Sequence, residues 1–181
     1  MDHSRVKNLL PGLTLIVGGA ASGKSRLAES LAENHGSTKV YLATAQIFDD
    51  EMAQKVDAHK SRRDAGWRTI EAPYDAGTAL TDARGDVLLF DCATLWLSNQ
   101  MLDDTRDLAA EQARLFDALR RCQMPVIVVS NEVGEGVVPE NALARQFREA
   151  QGRLNIELAQ MADLVIKVTV GLPQVLKGKM P

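Results

Sequence analysis

The sequence lacks several features that mark whole classes of proteins. Its 24 aspartates and glutamates outnumber its 21 lysines and arginines, so the formal net charge is −3. A general nucleic-acid-binding protein would normally carry a basic excess, and that class is therefore disfavoured. The first hydrophobic run, at 13–17, is far too short to span a bilayer, and it leads into glycines rather than a cleavage site. We expect no membrane insertion, no signal peptide and a cytoplasmic location.

Cysteine is also scarce. Cys92 and Cys122 have no spacing typical of a metal site or a redox pair. Cys92 follows an apolar run and should pack in the interior, so a disulfide framework is not expected. The chain contains no internal repeat, low-complexity tract or clear linker. With 181 residues, of which 45% are hydrophobic, residues 1–181 are predicted to form one domain with a continuous core.

Apolar segments alternate with helical patterns along the chain. Strands are predicted at 13–17, 40–44, 67–72, 87–91, 125–130 and 163–170, the last closing the sheet before a tail that begins at Gly171. Helices are predicted at 23–33, closed by His35 and Gly36, from Asp49 to about 59 or 60, at 108–122 and at 139–161. Strands that alternate with helices predict an α/β fold with a mostly parallel central sheet.

The strongest signal is a glycine-rich loop between the first predicted strand and helix. The loop matches the pattern G-x-x-x-x-G-K-S, typical of phosphate-binding P-loops. Glycines let successive backbone N–H groups point at phosphate oxygens, and the helix that follows presents its positive end to the same charge. Lys24 should reach the β- and γ-phosphates, and the Ser25 hydroxyl should coordinate Mg²⁺. The residues predicted to hold the nucleotide phosphates are Gly18, Gly19, Ala20, Ala21, Ser22, Gly23, Lys24 and Ser25.

Asp91 follows four apolar residues at the end of a predicted buried strand. An acid at this place in a P-loop protein is typical of the Walker B arrangement, which puts a carboxylate near the metal ion. The alternative is an aspartate that only caps the strand end. The P-loop favours the metal-side role, because ligands of open α/β sheets bind at the carboxyl ends of the strands.

His59 shares a predicted helix face with Met52 and Val56, at positions i, i+4 and i+7. One interpretation is a core histidine satisfied by a hydrogen bond. The other is a nucleophile, because a neutral imidazole can attack an α-phosphate and form an N–P bond. The basic run Lys60-Ser61-Arg62-Arg63 follows directly and could neutralise a polyphosphate near the ring. The residue pattern leaves both interpretations open.

A series of short motifs resembles one known family over almost the whole chain. The motifs lie at 18–25, 41–46, 49–52, 59–60, 67–71, 91–99, 130–140, 144–148 and 171–173. In this order they are similar to the bifunctional adenosylcobinamide kinase / adenosylcobinamide-phosphate guanylyltransferase family of cobalamin biosynthesis. Many enzyme types share a P-loop, whereas the ordered set from 18 to 173 is far more specific.

This resemblance implies a RecA-like P-loop fold, association into homo-oligomers, specifically trimers, and two reactions. In the first, ATP or GTP phosphorylates the hydroxyl of the aminopropanol arm of adenosylcobinamide. In the second, GTP guanylylates a histidine with loss of pyrophosphate. GMP then passes to adenosylcobinamide phosphate and gives adenosylcobinamide-GDP. The guanylylated histidine of the family falls on His59. The predicted catalytic residues are therefore His59 and, from the P-loop pattern, Lys24.

The family's further GTP-contacting positions fall on Ala43, Thr44, Ala45, Lys60, Ser61, Arg62, Arg63, Glu71 and Asp91. Two departures from the family pattern stand out. Many members carry arginine where this chain has Ala21, and some carry a second histidine where it has Ala58. Two other functions also use a P-loop: a small-molecule kinase without guanylyl transfer, and a nucleotide-dependent switch that acts on a protein partner. The switch would leave the basic run after His59 unexplained.

Overall fold

A computed structural model of the chain describes residues 10–46, 63 and 65–181. In chain order, its elements are β1 (Leu13–Gly18), α1 (Lys24–His35), β2 (Lys39–Ala43), β3 (Trp67–Glu71), α2 (Ala76–Asp82), β4 (Val87–Asp91), α3 (Ala93–Leu102), α4 (Leu108–Arg121), β5 (Val126–Asn131), α5 (Ala142–Met161), β6 (Leu164–Thr169) and β7 (Leu172–Lys177). The helix predicted from Asp49 lies outside the described residues. Within the described part of the chain, no helix has the length and apolar character needed to cross a membrane.

The strands of this part of the chain form one seven-stranded sheet in the order β3-β2-β4-β5-β1-β6-β7. Strands β1 to β6 are parallel, and β7 runs antiparallel to β6. The mostly parallel sheet predicted from the sequence is therefore confirmed. The central strands β4 and β5 are almost continuously buried, because helices cover both faces of a parallel sheet.

Strand alternation divides the core into two clusters. On one face, Ile16, Leu89 and Ile127 pack with Ala28 and Ala32 of α1; we call this the α1 face. On the other face, the neighbouring strand residues pack against side chains of α2, α3, α4 and α5. Because successive side chains of a strand point to opposite faces, each strand-end residue can be assigned to one of them.

The prediction of a tail from Gly171 is wrong, and so is the prediction that the strand at 163–170 closes the sheet. Val170 and Gly171 both have positive φ, 48° and 82°, as two-residue hairpin turns require. The chain reverses there, and β7 pairs with β6 as the edge of the sheet. All six β7 residues are exposed, so this strand has no buried face to give it a hydrophobic signature.

Two helices, α2 and α3, were not predicted. Six of the ten α3 residues are buried and only the last, Leu102, is exposed, so the helix lacks the polar face of an amphipathic pattern. Helix α5 begins at Ala142, later than the predicted 139, because the Asn141 side chain caps it by accepting a hydrogen bond from the Ala144 N–H at 3.1 Å.

Candidate nucleotide site

The P-loop connects the end of β1 to the start of α1. Gly23 has φ 100°, a left-handed conformation that favours glycine. Gly18 is needed for a different reason, since a Cβ atom there would lie 2.4 Å from the Val168 carbonyl oxygen. The buried hydroxyl oxygen of Ser22 has no hydrogen-bond partner among the described residues. An unpaired buried hydroxyl costs stability, and a loop that binds an oxyanion would supply it with an acceptor.

Lys24 is buried at the first position of α1. Its ammonium group donates a hydrogen bond to the Gly19 carbonyl at 2.6 Å, so the side chain lies folded over the loop. Burial lowers the pKa of Lys24, while Cys92 and Asp91 nearby act in the opposite direction. A buried ammonium group has lost its hydration, so an anionic partner strongly stabilises its charged form. A phosphate group that enters the loop would be such a partner.

Asp91 ends β4 on the α1 face, in line with Val87 and Leu89. The Tyr41 hydroxyl donates a hydrogen bond to Asp91 Oδ2 at 2.9 Å. Burial and the neighbouring Asp91 raise the pKa of Tyr41 above its ordinary value, so the phenol stays protonated and acts as the donor. The tyrosine therefore fixes the orientation of the carboxylate predicted to lie on the metal side.

The donor atoms fit a magnesium ion. Ser25 offers a hydroxyl in the first turn of α1 and Asp91 offers a carboxylate, and Mg²⁺ prefers such hard oxygen ligands. Among the described residues there is no group of three or more His, Cys, Asp or Glu that could enclose a metal. Mg²⁺ bound to nucleotide phosphates needs only one or two protein ligands, so the two oxygens are sufficient.

Arg63 is the described member of the predicted basic run. Its guanidinium carbon lies 3.6 Å from the centroid of the Tyr41 ring, and Nη1 donates to the Thr69 hydroxyl at 3.3 Å. Tyr41 also meets the edge of Trp67, with 6.2 Å between ring centroids. This arrangement brings Arg63 next to the Asp91 side of the site. His59, Lys60, Ser61 and Arg62 lie outside the described residues.

Thr44 is completely buried just after β2. Its hydroxyl donates to the Cys92 carbonyl at 2.8 Å and accepts from the Cys92 N–H at 2.9 Å, while its own carbonyl accepts from Asn99 Nδ2 at 2.8 Å. In this conformation Thr44 joins the ends of β2 and β4. Its predicted role in nucleotide binding stays a prediction. Because the Thr44 hydroxyl is buried and bonded to the Cys92 backbone, this side chain would act on a nucleotide only by holding the two strand ends together.

The remaining predicted positions lie at the same edge of the sheet. Ala43 pairs in register with both Glu71 and Asp91 at the ends of three neighbouring strands, and Ala45 follows two residues after Ala43. Cys92 is buried, as expected, and burial raises its pKa to about 12. The thiol is therefore neutral at physiological pH, which excludes a thiolate nucleophile at this point of the site.

Tyr41 and Asn131 were not predicted as site residues. Tyr41 is buried in the middle of β2 and pairs with Leu89 of β4, two residues before Asp91. Only the pairing of β2 with β4 shows that the Tyr41 hydroxyl can reach Asp91. Asn131 ends β5 beside Gly18. Asn131 had a weak signal in the sequence, since it is a polar side chain at the end of an otherwise apolar strand. Tyr41 lies in the middle of its strand and had no such signal.

Comparison with known sequences gives consistent results. The family model described as cobinamide kinase / cobinamide phosphate guanyltransferase matches residues 14–176. The chain is 45% identical over 168 residues to the bifunctional adenosylcobalamin biosynthesis protein CobP of Pseudomonas aeruginosa, covering 91% of this chain and 97% of that protein. It is 40% identical over 176 residues to CobU of Salmonella typhimurium, covering 88% and 97% of the two chains.

Solved structures with a similar fold have low sequence identity. The flagellar accessory protein FlaH from Methanocaldococcus jannaschii superposes with a TM-score of 0.54 at 17% identity, over 95% of this chain and 81% of that one. An ATPase from the type III secretion system of pathogenic bacteria superposes with a TM-score of 0.54 at 12% identity, over 94% and 59% of the two chains. At these identities the similarity shows the fold alone, and it confirms the predicted RecA-like P-loop architecture.

Proposed function

The chain belongs to the cobinamide kinase / cobinamide phosphate guanyltransferase family and is a bifunctional enzyme of adenosylcobalamin biosynthesis; from this premise we propose that one nucleotide site carries both reactions. The kinase reaction moves the γ-phosphoryl group of ATP or GTP to the hydroxyl of adenosylcobinamide. The guanylyltransferase reaction moves GMP from GTP to adenosylcobinamide phosphate through a covalent bond to His59.

The observation that carries this proposal is the arrangement around Lys24. The buried ammonium group, the loop that begins at Gly18 and the oriented Asp91 all lie at the carboxyl edge of the sheet. Both reactions develop charge on phosphate oxygens, and preorganised cations and backbone N–H groups stabilise that charge. A magnesium ion held by Ser25 and Asp91 would neutralise further phosphate charge when bound.

The guanylyl step splits one substitution into two. A nitrogen lone pair of the His59 imidazole attacks the α-phosphorus of GTP, an N–P bond forms, and the bond between the α-phosphorus and the bridging oxygen breaks as pyrophosphate leaves. A phosphate oxygen of adenosylcobinamide phosphate then attacks the same phosphorus, and the N–P bond breaks. Arg63 supports this assignment, because it follows His59 by four residues in the sequence and lies against Tyr41 beside Asp91.

Covalent labelling tests the proposal. The enzyme is incubated with Mg²⁺ and GTP labelled at the α-phosphate, and we expect label on the protein that is lost in acid and retained in base. His59→Ala should abolish the label and retain kinase activity, whereas the matched variant His3→Ala should label like the wild type. Full labelling of His59→Ala would refute the nucleophile assignment. A wild type that phosphorylates cobinamide but never becomes labelled would instead identify a simple kinase.

We also propose that the enzyme works as a homo-oligomer, a trimer as the family resemblance implies. Large apolar side chains are exposed on the loop after β5 and on β7, with Val137 94% exposed and Leu172 69% exposed. A subunit contact over this loop and β7 would cover these side chains, and covered apolar patches are typical of protein interfaces. Sedimentation of the purified chain as a monomer at micromolar concentration would contradict this proposal.

A further inference from the structure

The order of the strands places β5 between the two halves of the nucleotide site. On one side β4 ends at Asp91, and on the other side β1 leads into the P-loop. Gly18 pairs with Asn131, while Asp91 pairs with Val129. Strand β5 therefore extends two residues beyond the level of Asp91. Its last residue, Asn131, lies within about 5 Å of the backbone where the P-loop begins, the usual spacing of neighbouring strands.

The side chain of Asn131 belongs to the α1 face. Ile127 and Val129, at alternate positions of β5, pack on that face, whereas Val126 and Val128 pack on the other. The period of two places Asn131 on the same face as Asp91 and the start of α1. Among the residues that the structure describes, the side-chain amide of Asn131 has no hydrogen-bond partner, although its backbone groups do.

The backbone of Asn131 is anchored on both sides. Its N–H donates to the Thr94 hydroxyl at 2.8 Å, and Thr94 lies in the first turn of α3, three residues after Asp91. Its carbonyl accepts from Asn155 Nδ2 at 3.0 Å. The Glu132 N–H that follows donates to the Gly18 carbonyl at 3.0 Å. These hydrogen bonds therefore join the end of β5 to α3, to α5 and to the P-loop.

A buried polar network lies behind this strand end. Ser130 and Gln151 are completely buried. Ser130 Oγ donates to Asn155 Oδ1 at 2.6 Å, and Gln151 Nε2 donates to Ser130 Oγ at 2.8 Å and to Asn155 Oδ1 at 3.0 Å. Gln151 Oε1 has no partner among the described residues. A buried polar network stabilises a fold less than apolar packing does unless every polar group is hydrogen-bonded. We therefore infer that this network serves to hold Asn155 in place and, through Asn155, the backbone of Asn131.

We propose that Asn131 is a catalytic residue of the kinase reaction, whose Nδ2 group donates a hydrogen bond to an oxygen of the γ-phosphoryl group. This inference rests on the proposed function. In the kinase reaction the substrate hydroxyl oxygen bonds to the γ-phosphorus, the bond from that phosphorus to the β,γ-bridging oxygen breaks, and the hydroxyl proton passes to solvent. Charge spreads over the three equatorial γ-oxygens in the transition state, and a fixed neutral donor stabilises it.

The same placement predicts a difference between the two reactions. Guanylylation of His59 occurs at the α-phosphorus, two phosphates away from the group that Asn131 contacts. Loss of the amide should therefore slow phosphoryl transfer far more than guanylyl transfer. An effect on the fold alone would slow both reactions together, so the ratio of the two rates separates a catalytic role from a structural one.

The test uses the full chain with Asn131→Ala, Asn131→Asp and the exposed control Gln146→Ala. Transfer from γ-labelled nucleotide to adenosylcobinamide is measured beside labelling of the protein by α-labelled GTP. We expect Asn131→Ala to lower the kinase kcat on the order of 10²-fold, as loss of one preorganised donor does. Nucleotide KM and the labelling rate should stay within about threefold of the wild type. Asn131→Asp should be slower still, because its carboxylate repels the phosphate.

Three results would overturn the inference: an unchanged kinase kcat, equal losses in both reactions, or an aspartate variant as active as the alanine variant. If Asn131→Ala does not fold, Asn131→Ser carries the test, since its hydroxyl can still donate and should retain an intermediate kinase rate. A wild type without covalent label refutes the guanylyl half of the proposed function, and the kinase measurements still decide the role of Asn131.

Discussion

At the scale of single residues, Tyr41 connects more of the site than any residue predicted from the sequence. Its hydroxyl donates a hydrogen bond to Asp91. The Arg63 guanidinium packs on the face of its ring, and the ring forms an edge-to-face contact with Trp67. A hydrogen bond to a charged group contributes about 1.5–3 kcal/mol, and the phenol holds the Asp91 carboxylate in place.

Tyr41→Phe removes the hydroxyl and keeps the ring. We expect kcat/KM of both reactions to fall on the order of tenfold, with a higher Mg²⁺ concentration needed for half-maximal rate, because Asp91 loses its fixed orientation. Tyr41→Leu also removes the surface on which Arg63 lies and should be more damaging. A Mg²⁺ dependence of Tyr41→Phe identical to that of the wild type would show that the phenol does not position the acid.

Residues that belong to a short contiguous sequence pattern were predictable from the sequence. Residues whose role depends on which strands are neighbours in the sheet were not. Gly23 and Lys24 belong to a contiguous pattern with its own backbone geometry. Tyr41 contacts an aspartate 50 positions away, and nothing near Tyr41 in the chain indicates that β2 lies beside β4. Thr44 was predicted for its position, yet its buried hydroxyl joins two strands.

At the scale of elements, the turn from α1 to β2 depends on one carboxylate. Asp86 accepts hydrogen bonds from the N–H groups of Thr38 and Ser37 at 2.8 and 2.9 Å, and a Cβ on Gly36 would lie 2.3 Å from its Cβ. Hydrogen bonds from Thr38 and Ser37 lower the pKa of Asp86 from 3.8 to about 2. Since the folded state binds the proton less tightly, the charged carboxylate stabilises the fold above pH 3.8.

Asp86→Asn should therefore lower the melting temperature at pH 7. The difference between wild type and variant should shrink as the pH falls from 3.8 to about 2, where the wild-type carboxylate becomes protonated. Thermal unfolding monitored by circular dichroism at pH 7, 5, 4 and 3 measures this difference. The exposed Asp82→Asn is the matched control and should melt like the wild type throughout. A difference independent of pH would exclude the charge of Asp86 as its cause.

Elements with a buried, continuous apolar strand or an amphipathic helix were predicted from the sequence, as β4 and α4 show. Helix α3 was missed because both its apolar and polar residues are buried; Asn99 and Gln100 donate to carbonyls of Pro73 and Tyr74. Strand β7 was missed because it lies exposed at the sheet edge and contains Pro173, which only an edge strand tolerates. Tertiary contacts, rather than local pattern, decide both elements.

At the scale of the whole molecule, the strand order brings together parts of the chain that are distant in sequence. The P-loop, Asp91 and Asn131 occupy the ends of β1, β4 and β5, which are neighbours in the sheet. The sequence predicts a parallel sheet with sites at its carboxyl edge, but periodicity does not specify which strands are neighbours. That residues 1–181 form one catalytic domain stays a prediction.

The central claim is that one phosphate site serves both reactions, and Lys24→Ala tests it most directly. Kinase activity and covalent labelling by α-labelled GTP are measured side by side, with the exposed Lys179→Ala as control and thermal unfolding to verify the fold. The account predicts that both activities of Lys24→Ala fall on the order of 10²-fold or more, because both lose charge stabilisation on the phosphates. A folded Lys24→Ala that keeps either activity at the wild-type rate would contradict it.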